Sequence, residues 1–267
     1  MSGFSAQWLA LREPYDRRAR SASVLDAVRA TFRGQGAISV VDLGCGTGAT
    51  LRAIGPQLPT RQYWRLVDNN LSLLAQAAGL GRPPDITVEA RAIDLVRDLE
   101  LALDGSVDLI TTSALLDLVS AEWLERLAVE TAARRLPVYA ALTYQGRATL
   151  EPAEPFDPEI VAAVNRHQRR DKGFGPALGP EAGLFAVRSF ERIGYAVVTG
   201  ASDWEFAPRD REIQLEVLAG WAAAAADLGE LPSAAIAAWL ARRRKLVADA
   251  GAGMRVSHVD FFATPMR

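Results

Sequence analysis

Apolar residues in the first two thirds of the chain gather into short β-branched runs, separated by stretches with helical spacing. Runs at 38–43, 62–68, 86–93, 107–113 and 137–144 read as strands. They are nearly continuous rather than alternating, which suits strands covered on both faces. Helices fit between them at 48–57, 70–79 and 121–135, and in the last of these Trp123, Leu124, Leu127 and Ala128 recur at the spacing of one helix face. Strand, helix and strand in repetition is the rhythm of βαβ units, so the pattern predicts a doubly wound α/β sheet.

Beyond the fifth run the rhythm loosens. Residues 146–179 are rich in Pro and Gly around one helix, with Asp157 expected as its cap and Pro158 in its first position. A helix at 180–193, ended by Gly194, leads into a strand at 195–199. Two alanine-rich helices follow at 209–227 and 233–249, the second opened by Ser233 and closed by Gly251, before a last strand at 255–262. If the last two strands pair, the helices between them form an insertion. The division expected is a helical segment at 1–37, an α/β core at 38–145, an insertion covering a substrate at 146–179, a core helix and strand at 180–203, a helical insertion at 204–253 and a final core strand at 254–267.

Composition narrows the class of protein. At 267 residues, 49% hydrophobic and 23% charged, the chain can bury a substantial core. One cysteine, Cys45, excludes an intramolecular disulfide and argues against a cysteine-based zinc site, so no metal is expected and a reducing cytoplasm fits. Residues 1–20 lack the apolar core of a signal peptide, and the apolar run at 221–226 is far short of the roughly 20 residues needed to span a bilayer. A soluble protein with no membrane partner is the expectation. The net charge is −2, and the cluster Arg242, Arg243, Arg244 and Lys245 reads as a solvated helix face rather than a nucleic-acid patch.

The most informative stretch is Val40-Val41-Asp42-Leu43-Gly44-Cys45-Gly46-Thr47-Gly48, a buried strand that runs into alternating glycines and then a helix. Such glycines allow a sharp turn and let a ligand lie against bare backbone amides at the carboxyl end of the strand. The same stretch fits the dinucleotide fingerprint through Gly44, Gly46 and Ala49, with Asp68 about twenty residues on. Spacing does not separate the two readings. Asp42 has no part in the dinucleotide fingerprint, however, and a second strand-end acid, Asp94, is placed to accept a hydrogen bond from an adenine amino group. Asp68 alone could also be a helix cap, and Cys45 a small filler.

The segment Asp42 to Gly48, followed by Asp68 and then Asp94, resembles the cofactor motifs of class I S-adenosylmethionine-dependent methyltransferases over about residues 38–145. The resemblance implies a Rossmann-like, seven-stranded sheet, mostly parallel with an antiparallel last strand, plus helical insertions. It also implies S-adenosylmethionine as cofactor. Gly44, Gly46 and Gly48, with Asp42 and Cys45 in the same loop, would line its methionine part. Asp68, beside Asn69, would bind the ribose; Asp94 with Leu95 would hold the adenine; Ser113 and Ala114 would face the amino acid. The Trp8 to Arg20 stretch and Asp171-Lys172-Gly173-Phe174-Gly175-Pro176 resemble a group of bacterial methyltransferases of unassigned substrate.

Methyl transfer asks first for alignment and exclusion of water, then for a base where the acceptor carries a proton. His167, on the apolar face of its helix, is the obvious candidate, with Asp171 four residues on to orient the ring; a buried structural histidine is the equal alternative. His258 reads as structural. Tyr144 and Asp117, after the fifth and fourth strands, lie where such a sheet meets substrate. Arg12, Tyr15 and Arg18 would share one side of a helix, with Arg12 placed for the methionine carboxylate. His167, Arg170 and Trp204 would come toward the methyl group from the insertions. The fourth strand leads into Thr112-Ser113-Ala114-Leu115-Leu116-Asp117, which lacks the Asn-Pro-Pro-Tyr pattern of enzymes that methylate adenine or glutamine, and Asp117 alone does not make a metal cluster. A small-molecule acceptor is expected, with oligomeric state open. The alternatives are an NAD(P)-dependent oxidoreductase and a non-catalytic cofactor-binding or partner module.

Overall fold

The computed structural model describes residues 4–79, 81 and 83–266. Two helices, α1 (Ala6–Ala19) and α2 (Ala22–Phe32), precede the sheet. The βαβ series follows: β1 (Ala37–Leu43), α3 (Ala49–Ile54), β2 (Arg61–Asp68), α4 (Leu71–Gly79), β3 (Ile86–Ala92), α5 (Leu99–Ala102), β4 (Leu109–Ser113), α6 (Ala121–Ala133) and β5 (Val138–Glu151). The remainder is α7 (Asp157–Gln168), α8 (Ala182–Arg192), β6 (Tyr195–Ala201), β7 (Trp204–Phe206), α9 (Arg211–Leu228), α10 (Ser233–Ala248) and β8 (Gly253–Pro265).

The strands lie in the order β3-β2-β1-β4-β5-β8-β6, parallel from β3 to β5, with β8 antiparallel between β5 and β6. This is the doubly wound, Rossmann-like architecture. It has eight strands rather than seven, because Trp204 to Phe206 add to the early part of β8. That three-residue strand is too short to give an alternating pattern of its own.

Successive side chains of a strand point to opposite faces, which divides the core. Val41 and Leu43 pack with Leu124, Leu127 and Phe190 on one face; Ile38 and Val40 pack with Val28, Phe32 and Leu74 on the other. A third cluster joins α7, α9 and α10 to β7 and the outer ends of β5 and β8, through Ile160, Trp204, Val217 and Trp239. It carries the cap above the sheet.

Two local expectations are corrected there. Asp157 is not the cap of α7; Phe156 holds that position. The Asp157 carboxylate instead accepts from the Trp239 indole at 2.8 Å and from Arg243 Nε at 3.0 Å, with a second contact from Arg243 Nη2. Arg243 is therefore not part of a solvated basic face but fully buried, its side chain reaching in to Asp157 at the start of α7 and to the Pro152 carbonyl at 2.8 Å. Ser233 likewise begins α10 without capping it; the cap position is Pro232.

Candidate functional site

The β1 strand ends in a loop whose three glycines all adopt left-handed backbone, with φ of +66° at Gly44, +53° at Gly46 and +80° at Gly48. Only glycine takes this conformation without steric cost, and Gly48 then serves as the cap of α3. The Cys45 amide donates to the Val67 carbonyl at 3.0 Å, which ties the loop to β2. Its thiol is buried, and burial together with the charges of Asp42 and Asp68 pushes its pKa up, so it fills space. Asp42 is wholly buried and accepts from the Thr111 hydroxyl at 2.9 Å. Burial raises its pKa to about 7, against the opposing hydrogen bond of Thr111 and charge of Arg20.

Asp68 faces the loop from the end of β2. Its Oδ2 accepts the Gly46 amide at 2.9 Å and its Oδ1 accepts the Asn70 amide at 2.9 Å. The cap of α4 is Asn70, whose Oδ1 accepts from Ser72 and Leu73. The helix-cap reading of Asp68 therefore falls away. Asp94 follows β3, accepts from the Val96 amide and pairs with Arg97 at 2.9 Å. Leu95 is buried, its carbonyl taken by the Trp123 indole at 2.6 Å. Ser113 accepts from Arg20 at 3.3 Å, and Ala114 turns with φ of +51° at the end of β4.

These groups surround one cavity of about 920 Å³. Gly44, Cys45, Gly46, Asp68, Asn69, Asp94, Leu95, Ser113 and Ala114 all line it, whereas Asp42, buried in β1, and Gly48, at the cap of α3, do not. Lys172, Gly173 and Phe174 close one side. Their segment is a turn tied by Asp171, whose Oδ1 accepts from the Gly173 and Gly175 amides at 2.6 and 3.0 Å. Phe174 meets Trp123 edge-on at 5.4 Å between centroids, which seats the turn against α6.

A second cavity of about 430 Å³ adjoins the first, and Phe4, Arg12, Ala114 and Leu118 face both. Asp117, Tyr144, His167, Trp204 and His258 line it. The wall on the β5 side depends on a bulge: Leu142 takes φ of +57°, and its amide donates to Asp260 Oδ1 at 2.8 Å. Bulges of this kind re-aim side chains next to functional sites. Tyr144 donates its hydroxyl to Asn165 at 2.8 Å, and burial raises its pKa, so it stays protonated. His258 has its Nδ1 3.0 Å from the Val256 carbonyl, and burial lowers its pKa to about 4.

Several partnerships differ from expectation. His167 meets Asp227 at 3.3 Å and Lys172 at 3.2 Å, not Asp171, which is spent on its turn. Burial and the Lys172 charge lower its pKa against the pull of Asp227. Arg170 pairs with Asp227 at 2.5 Å on the surface, lines neither cavity and so is not brought toward the methyl group. Arg12 does face both cavities, but its guanidinium is held by Asp16 at 2.8 Å and lies 4.8 Å from the Trp204 ring centre. Tyr15 and Arg18 dock α1 through Asp210 and the Glu205 carbonyl rather than reaching the site. Sequence reading missed Asp16, Arg20, Lys172 and Asp260. Only Lys172 had a signal, its place in the glycine-rich segment.

A left-handed glycine loop at the carboxyl end of β1, strand-end acids on β2 and β3, and the reversal of strand order between β1 and β4 define a doubly wound fold with its main cavity at the switch point, where such sheets bind ligands. Residues 40–136 match the family model described as a methyltransferase domain. None of the curated proteins matches the sequence.

Solved structures share the fold. A cyclopropane-fatty-acyl-phospholipid synthase-like protein from Lactobacillus casei is 12% identical with a TM-score of 0.55, over 95% of this chain and 98% of that one. The cyclopropane synthase MmaA2 from Mycobacterium tuberculosis is 11% identical with a TM-score of 0.52, over 98% and 94%. The mycolic acid cyclopropane synthase CmaA1, in complex with SAH and CTAB, is 12% identical with a TM-score of 0.52, over 97% and 94%. Among the described residues no helix is long and apolar enough to cross a membrane.

Proposed function

We propose that this protein transfers the methyl group of S-adenosylmethionine to a small acceptor bound in the 430 Å³ cavity. The observation that supports it is the adjacency of the two cavities, with Arg12 and Ala114 facing both. When bound, the cofactor supplies an electrophilic methyl group on a sulfonium sulfur. Gly44 and Gly46, braced by Asp42 and Cys45, leave backbone open to the methionine part, and Gly48 shapes the turn into α3. Asp68 and Asn69 bind the ribose hydroxyls, Asp94 and Leu95 the adenine, and Ser113 and Ala114 the amino acid, with Arg12 at the passage between the cavities.

The segments at 146–179 and 204–253 act as a cover that excludes water and selects the acceptor. His167, neutral at pH 7 because its pKa is lowered, takes a proton from the acceptor; Tyr144, which remains protonated, positions it. Trp204 forms an apolar wall. The protein works in the cytoplasm without a nucleic-acid or membrane partner. Isothermal titration with S-adenosylhomocysteine and NADH tests the cofactor site: tight binding of the first and none of the second is expected, and the reverse overturns the reading.

A further inference from the structure

The second cavity joins two unlike chemistries. Its walls include the rings of Trp8, Tyr144, Trp204 and Trp221, large rigid apolar surfaces that favour flat ligands. Among them stands Asp117, 6% exposed, in the turn after β4. Its Oδ1 is buried and has no hydrogen-bond partner among the described residues. A buried acceptor left unpaired is costly, more so when charged, so natural structures rarely keep one that nothing satisfies.

Several of the polar groups around it are spoken for. Arg12 pairs with Asp16, Tyr144 donates to Asn165, and the Nδ1 of His258 lies at the Val256 carbonyl. Lys172 has its Nζ at the His167 ring, and Glu216, the other carboxylate facing the cavity, comes from α9. Burial raises the Asp117 pKa to about 6, opposed by backbone amides at Asp117 and Tyr144 and by the charges of Arg12 and Lys172. At neutral pH it is still mainly a carboxylate, and its Oδ1 is an acceptor without a donor among the described residues.

We infer that the acceptor is a compact planar molecule carrying a hydroxyl or amino group, a phenol or an aromatic amine, and that Asp117 Oδ1 accepts the hydrogen bond of that group. This rests on the proposed methyl transfer and adds the acceptor's chemical class and the atom that recognises it. An acyl chain could lie along the same apolar walls, but it has no donor to offer Asp117.

Equilibrium dialysis with 2-naphthol, naphthalene and oleate in saturating S-adenosylhomocysteine tests the assignment. The wild type is expected to bind 2-naphthol at least fivefold more tightly than naphthalene, and more tightly than oleate. Asp117→Leu, which has no oxygen, should abolish the preference with S-adenosylhomocysteine affinity unchanged, while Asp117→Asn, which keeps one acceptor oxygen, should retain it. A preference below fivefold in the wild type, tighter binding of oleate, or the same outcome in both variants overturns the inference. Failure of the wild type to bind S-adenosylhomocysteine at all sinks the methyltransferase reading instead, so the two failures are distinguishable.

Discussion

Asp68 and Gly46 meet through one hydrogen bond, the Gly46 amide donating to the Asp68 carboxylate at 2.9 Å. The acid at the end of β2 therefore shapes the glycine loop as well as facing the cofactor cavity, two duties on one side chain. Asp68→Ala is expected to weaken S-adenosylhomocysteine binding by about ten- to a hundredfold, on the order of 1.5–3 kcal/mol for a lost hydrogen bond to a charged group. Titration calorimetry reads it, and an unchanged Kd would remove Asp68 from the site.

Gly46 is also where α1 touches the loop. A methyl group added there would stand 3.1 Å from Leu9 Cδ1, on a backbone whose φ is +53°. Gly46→Ala should cost about 1–2 kcal/mol from the left-handed conformation alone. Thermal melting is expected to fall by a few degrees, with weaker S-adenosylhomocysteine binding as α1 is displaced. A variant with wild-type melting and affinity would show that the loop tolerates a side chain.

The Arg243–Asp157 pair joins α10 to α7 in a buried setting where neither partner can be removed cheaply. Arg243→Ala is expected to lose about 3–5 kcal/mol in urea unfolding, because it leaves Asp157 buried without its counter-charge. Arg243→Met with Asp157→Leu in the same chain should recover most of the loss. Equal damage from the single and double variants would mean that packing, not charge, dominates there.

His258 makes stability depend on pH. Its folded pKa is about 4 against an ordinary 6.5, so below about pH 6.5 the unfolded chain binds a proton that the folded chain refuses. Stability contributed by neutral His258 is thus lost as pH falls from about 6.5 to 4, by up to about 3 kcal/mol, and does not change further below that. Asp42 and Asp117, with folded pKa values of about 7 and 6, act with the opposite sign over the same range. The difference between wild type and His258→Gln isolates the histidine: urea unfolding at pH 7 and pH 4.5 should show the wild type losing ground to the variant. A difference that stays constant with pH contradicts a neutral, buried His258.

Much of the fold, and most of the lining of the larger cavity, was legible because it is written in local sequence. The left-handed turns at Gly44, Gly46 and Gly48 need residues without a Cβ, and the acids Asp68 and Asp94 sit at strand ends that hydrophobic runs mark. Spacing along the chain also placed His167 on the inner side of α7, where it does line the second cavity.

What tertiary structure alone decided are the partners. Asp16 and Trp204 are joined by a 2.9 Å hydrogen bond although 188 positions apart, and Asp157 and Arg243 by a buried ion pair 86 apart. No periodicity relates such residues, so Arg243 resembled its solvated neighbours and Arg12 seemed free for a ligand. The Leu142 bulge, its amide held by Asp260 118 residues away, and the β7 strand, defined only by pairing with β8, have the same origin. Backbone conformation and the face a residue presents are set by its neighbours in sequence, and these the sequence determined. The charge or hydrogen bond that meets a side chain is set by which elements the hydrophobic clusters press together, and that choice belongs to the packed chain.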